Sequence, residues 1–194
     1  NLALTMTAGY ALSVKVPGRN FFSLMITFTM FFGGGLIPYY FVIRALGILN
    51  TFWVMILPGA VSAYNLIITR TFLKSNIPNE LYEAAAIDGC NRLQFFGRIV
   101  VPLSGTLIAV LTLFYAVGHW NDYFNALMFL QERSLHPLQL ILRETLIETS
   151  IAADDMDGEA AAALQTMKET LKYALIVVSS LPMMIVYPMV QKYF

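Results

Sequence analysis

A charged interval held between two charge-free apolar runs constrains this chain more than any other feature. Residues 77–102 carry Glu80, Glu83, Asp88, Arg92 and Arg98. Residues 52–69 before them and 103–121 after them contain no Asp, Glu, Lys or Arg. An apolar run of about twenty residues spans a bilayer as a helix. A polar element between two such spans must face water, so the question is what it meets there.

Composition agrees. Of 194 residues, 58% are hydrophobic and 12% charged, and the mean hydropathy is +0.65. Soluble domains carry about 25% charged residues. The chain therefore reads as an all-α integral membrane protein. Zero net charge leaves no basic surface for nucleic acid. Cys90 is the sole cysteine, which excludes an internal disulfide. The sequence opens inside an apolar run without an initiator Met and stops soon after its last apolar run, so it is expected to be trimmed at both ends.

Five apolar segments are expected to alternate sides: 1–14 (half a span), 20–43, 52–69, 103–121 and 173–191. Ala8 and Gly9 mark a tightly packed point in the first. Gly33, Gly34, Gly35 and Pro38 interrupt the second; they read as close helix packing or the span's outer end, with packing preferred over the alternative of a bent helix lining a path. Trp53 is placed as an interfacial anchor of the third. Basic residues fix the orientation. Lys15, Arg19, Arg70, Lys74, Arg92, Arg98 and Lys192 fall on one side, against Arg44, Arg133, Arg143, Lys168 and Lys172 diluted in acid-rich sequence on the other. The first side is expected to be cytoplasmic.

Within the charged interval the local chemistry predicts a short helix, a break and a second helix. Asn76 is the expected cap and Pro78 suits the first turn. Glu80 and Glu83 sit near the positive end of the helix dipole. Ala84 and Ala85 leave a low-relief face, and Gly89 permits the left-handed turn that ends the helix. From Asn91 an amphipathic piece sets Leu93, Phe96, Ile99 and Val100 against Arg92 and Arg98, and Pro102 marks its junction with the next span.

Glu83-Ala84-Ala85, three residues, Gly89, nine residues, Ile99, two residues, Pro102 resembles the E-A-A loop of ABC importer permeases. Cys90 departs from the plain alanine usual there. Residues 10–13, residues 36–58 and the later stretches 137–140 and 171–174 resemble the carbohydrate and polysaccharide branch of that family. The resemblance covers nearly the whole chain. It implies a single permease domain over residues 1–194 with the MetI-like fold, five of its six expected spans being present. Residues 74–98 would be the cytoplasmic coupling loop and 131–172 an extracytoplasmic loop facing a substrate-binding protein. Leu81, Tyr82, Glu83, Ala84, Ala85, Asp88 and Gly89 would form the coupling helix that docks on a cytoplasmic ATPase dimer. A second, homologous permease subunit is the other implied partner, in a bacterial cell membrane.

Polar residues in or beside the spans are candidates for a translocation path: Tyr64, Asn65, Trp120, Asn121 and Asp122. Amide and aromatic groups of this kind suit sugar hydroxyls. His119 and the other histidine, His136, have no spacing that would hold a metal. Asp154, Asp155 and Asp157 lack the spacing of an EF-hand and read as an acidic solvated loop. No G-x-x-x-x-G-K-[ST] loop occurs, so this chain is not itself the ATPase; ATP and Mg are expected on the partner and no cofactor on this chain. No catalytic constellation stands out, and no enzyme activity is expected. A permease for a non-sugar solute is the nearest alternative. An ion-coupled secondary transporter would need an acid within a span, and the spans have none.

Overall fold

The computed structural model describes residues 1–154 and 159–192. Every regular element among them is helical. In chain order these are α1 (Leu2–Ser13), α2 (Arg19–Phe31), α3 (Leu36–Ala45), α4 (Ala63–Asn76), α5 (Asn79–Ile87), α6 (Arg92–Leu103), α7 (Gly105–Trp120), α8 (Tyr123–Phe129), α9 (Leu138–Asp154) and α10 (Glu159–Gln191). A π-helical stretch, Phe96–Val100, lies inside α6.

The breaks follow breakers in the sequence. α2 and α3 meet at a bend of 118°. Gly35 there has φ +81, and no side chain presses on Gly33 or Gly35. The glycines therefore serve the bend, not the close helix packing preferred from sequence. The expected span 52–69 is not one helix. It opens as a 3₁₀ turn (Phe52–Met55), passes through Pro58 and Gly59, and becomes helical only at Ala63, where Ser62 Oγ accepts from the Asn65 N–H at 3.5 Å. Proline and glycine in succession remove a donor and loosen the backbone, which stops the helix. α6 and α7 cross at 80° at Ser104, whose hydroxyl donates to the Val100 carbonyl at 2.7 Å.

The polar stretch 131–172, expected as a loop, is largely helical among the described residues. α9 fills much of it, and α10 runs unbroken from Glu159 through the last apolar segment, with Pro182 and Pro188 inside it. Lys168–Pro188 is the one described helix long and apolar enough to cross a membrane by itself, and each bent pair would add another. The acidic residues Asp155 and Asp157 lie outside the described residues.

Two separate cores hold the helices. One joins Met6, Leu73, Ala85, Phe95, Val100, Leu107 and Leu111, from α1, α4, α5, α6 and α7. The other joins Ile43, Val54, Ala126, Phe129, Leu130 and Leu140, from α3, the 3₁₀ turn, the α8 region and α9. α1 packs along α4, and α9 along α10. Gly9 provides the close point foreseen in α1: it lies against Thr69 of α4. Long apolar faces remain uncovered, including Phe21, Phe28 and Phe31 on α2 and Ile176, Met184 and Ile185 on α10. Such faces suit lipid or another membrane subunit, not water.

Candidate functional site

The exposed element between the two apolar runs is α5. Pro78 takes the capping position, and Asn79 begins the helix. Asn76 is not the cap; it ends α4, with its side-chain amide donating to the Phe72 carbonyl at 3.0 Å. At the far end, the Cys90 N–H donates to the Ala85 carbonyl at 2.9 Å and the Gly89 N–H to the Ala86 carbonyl at 3.0 Å. With Gly89 at φ +79, this pair of bonds is the Schellman arrangement. Asn91 and Gln94 then form a reciprocal capping box, 2.8 and 3.0 Å, that starts α6 at once. Both ends of the corner are thus hydrogen-bonded.

The seven residues assigned to coupling do not share one face. Ala85 is turned inward, 8% exposed, into the core with Phe95 and Val100. Its small size lets α5 approach its own chain. Leu81 and Tyr82 are half-buried against the same core. Tyr82 meets Phe95 edge-on, with ring centroids 5.2 Å apart, and Arg92 stands 5.0 Å over the Tyr82 ring. Glu83, Ala84, Asp88 and Gly89 face outward. Beside them stand two apolar side chains that the sequence reading missed or misplaced. Ile87 is 88% exposed and Leu93 is 82% exposed. Leu93 does not share the setting of Phe96, Ile99 and Val100, with which the amphipathic pattern places it; those three are buried or half-buried, and Phe95 is buried beside them. Apolar residues this exposed on a polar element are the available signal for a partner surface.

A cleft of about 770 Å³ opens at the N-terminal foot of α5. Lys15, Arg19, Lys74 and Arg92 line it together with Glu80 and Glu83. Four of the seven cations grouped on one side from sequence therefore meet in space.

The path candidates are dispersed. Tyr64 is exposed at the start of α4, its ring 6.5 Å from Phe114 of α7. Asn65 is buried, and its carbonyl accepts from the Thr69 hydroxyl at 2.7 Å. Trp120 donates its indole N–H to the Ser179 carbonyl of α10 at 2.8 Å, an interhelical tie. Asn121 caps the end of α7 and bonds back to the Val117 carbonyl at 3.0 Å. Asp122 caps α8; its carboxylate accepts from the Asn125 amide side chain at 2.9 Å and the Asn125 N–H at 3.3 Å. Asp122 and Asn121 thus already have local partners.

Two polar residues that sequence did not single out organise the chain. The Tyr115 hydroxyl lies 2.6 Å from Thr5 Oγ1 and accepts from the Ser62 N–H at 3.2 Å, joining α1, α4 and α7. Asn50, the one non-glycine residue with positive φ (+54) among the described residues, accepts from the Gln131 and Glu132 N–H groups at 2.9 and 3.1 Å.

Broken apolar helices with uncovered apolar faces around an exposed polar corner are the architecture of a membrane-embedded chain. The family model for the binding-protein-dependent transport system inner membrane component matches residues 5–194, and the chain belongs to that family. The family is one of transport components, not enzymes, and places the chain in the membrane with the MetI-like permease fold. Protein LplC of Bacillus subtilis is 42% identical over 194 residues, covering 100% of this chain and 65% of its own length. The polygalacturonan/rhamnogalacturonan transport system permease protein YtcP of the same organism is 42% identical, covering 100% of this chain and 68% of its own. A crystal structure of a bacterial ABC transporter involved in the import of the acidic polysaccharide alginate superposes with a TM-score of 0.84 at 36% identity, over 100% of this chain and 68% of that one. The chain thus spans about two thirds of the length of these relatives.

Proposed function

We propose that this chain is the permease subunit of an ATP-driven, binding-protein-dependent importer of sugars, oligosaccharides or polysaccharide fragments. The observation that carries the reading is α5: Glu83, Ala84, Ile87 and Asp88 are outward, while Ala85 is rooted in the core that also holds Leu107 and Leu111 of α7. A push on the outer face of such a helix reaches the apolar helices through packed side chains, because close-packed interiors transmit strain. In this reading residues 74–98 are cytoplasmic and dock on an ATPase dimer, which binds ATP and Mg. Leu81, Tyr82 and Ala85 seat the helix; Glu83, Ala84, Asp88 and Gly89 meet the ATPase. ATP-driven closure of the dimer then rocks the spans between inward-open and outward-open states. A homologous second permease completes the path, and an extracytoplasmic binding protein delivers the solute at the outer side near residues 131–172. Tyr64, Asn65, Trp120, Asn121 and Asp122 are assigned to the path, with Trp120 and Asp122 in a supporting role.

The names of the relatives favour a glycan among possible solutes. The test is the ATPase activity of the full complex in liposomes, with its binding protein loaded with one candidate glycan at a time. Stimulation by a glycan is the expected result. A permease that co-purifies with no ATPase would sink the reading.

A further inference from the structure

We infer that the basic cleft at the foot of α5 holds the phosphate of an anionic phospholipid headgroup at the cytoplasmic edge of the membrane. The inference rests on the cytoplasmic placement of residues 74–98 and not on the nature of the solute. Lys15 comes from the turn between α1 and α2, Arg19 from the first turn of α2, Lys74 from α4 and Arg92 from α6. Glu80 and Glu83 are the acidic groups on the wall, so four cations less two anions leave a charge of +2. No ion pair within 4.0 Å joins any of the four cations to a carboxylate among the described residues.

Besides the two carboxylates, the cleft has backbone donors at the start of α5. Pro78, Asn79 and Glu80 of the start of α5 line it; the Leu81 N–H donates to the Pro78 carbonyl at 3.2 Å, and Pro78 in the capping position has no side-chain oxygen to offer the first-turn N–H groups. The Tyr10 hydroxyl, buried in its wall, has no hydrogen-bond partner. A phosphate brings several acceptor oxygens and negative charge to one place, which suits a cleft with a charge of +2 at the start of a helix.

The surroundings favour a lipid over a soluble phosphate. A second hollow of about 360 Å³ adjoins Lys15 and Arg19 and includes Val16 and Phe21. Val16, Phe21 and Phe22 are 46%, 67% and 50% exposed and lead onto the uncovered apolar face of α2. A headgroup in the cleft therefore has an apolar surface beside it for its acyl chains. Clusters of Lys and Arg at the cytoplasmic end of membrane helices attract anionic lipid in this way.

The experiment uses the full-length permease in its complex, in nanodiscs of equal parts phosphatidylglycerol and phosphatidylcholine, with retained lipid counted by native mass spectrometry as detergent strips the rest. Wild type is expected to keep phosphatidylglycerol. K15Q/R19Q should weaken retention by about thirtyfold, since each basic residue near an anionic headgroup contributes about fivefold. K15R/R19K, which keeps the charge, should retain it. R44Q/R133Q removes equal charge from the other side and should also retain it. Equal loss from the two charge-removing variants would overturn the inference, as would equal retention of both lipids by wild type. Displacement of the lipid by inorganic phosphate alone would reassign the cleft to a soluble anion. ATPase co-purification is read from the same samples. Loss of the ATPase in K15Q/R19Q with lipid retention intact would give the cleft to the ATPase. Wild type that keeps lipid but brings down no ATPase would support the cleft and count against the importer.

Discussion

Gly9 of α1 and Thr69 of α4 touch so closely that no other residue fits at position 9. A Cβ built on Gly9 would lie 2.4 Å from Thr69 Cγ2 and 2.8 Å from Thr69 Cβ. Thr69 is fully buried and tied by its hydroxyl to the Asn65 carbonyl at 2.7 Å, so it has nowhere to move. Gly9→Ala should therefore part α1 from α4 and destabilise the permease by about 1–3 kcal/mol, the usual cost of overpacking. Unfolding of the purified complex in a denaturing detergent titration would measure it. Thr69→Ser removes the nearer obstructing atom and should recover part of the loss in the double variant; no recovery would mean that the contact does not limit the approach.

Gly89 sits in open space but in a left-handed backbone conformation. The cost of replacing it is conformational. Gly89→Val should cost more than Gly89→Ala, with Ala at about 1–2 kcal/mol, and Gly89→Asn less, because Asn tolerates that region. Transport per ATP hydrolysed in liposomes should fall in the same order. Equal loss with Asn and Val would mean that shape, not backbone freedom, matters at this position.

Ile87 and Leu93 are predicted to belong to the contact with the ATPase. Ile87→Asp and Leu93→Asp should leave the permease's own thermal stability within about 0.5 kcal/mol, as surface substitutions do. Each should weaken ATPase capture by at least tenfold, since burying such a side chain contributes about 1.5–3 kcal/mol. Ala85→Leu should do the reverse and damage the permease itself by crowding Phe95 and Val100. Unchanged ATPase capture by both Asp variants would remove these residues from the interface.

Asn50 combines a strained backbone with two accepted hydrogen bonds. Asn50→Gly keeps the backbone and loses the bonds, at about 1 kcal/mol each. Asn50→Ala loses the bonds and adds about 1–2 kcal/mol of strain. Hydrogen exchange at the Gln131 and Glu132 amides should accelerate in both, more in the alanine variant. Protection unchanged in Asn50→Gly would show that these amides are held by something else.

What could be read in the sequence was whatever depends on local chemistry. The turn at Gly89, the start of a second helix at Asn91 and the close point at Gly9 each follow from one residue's geometry and its neighbours, and the structure has all three, whereas the cap expected at Asn76 falls to Pro78. The orientation of individual apolar residues did not follow. The amphipathic pattern sets Leu93 with Ile99 and Val100 but does not say which of them faces inward, and a chain built to meet lipid and partners also presents apolar groups outward. Helix continuity failed for a related reason. Residues 52–69 and 20–43 are apolar enough to span, but hydropathy does not register where Pro58, Gly59 and Gly35 redirect the backbone. How the candidate path residues sit was not legible either: hydropathy and residue type single out Trp120 and Asp122, but not the bonds that Trp120 makes to Ser179 and Asp122 to Asn125.

The π-helical stretch Phe96–Val100 lies between α5 and the apolar α7. It holds one residue more per turn than an α-helix needs. Were it to relax to α geometry, everything beyond Val100 would gain one residue of register, a rotation of about 100° and a rise of about 1.5 Å relative to α5. The connection between the exposed corner and the apolar α7 therefore carries a stored increment of one residue.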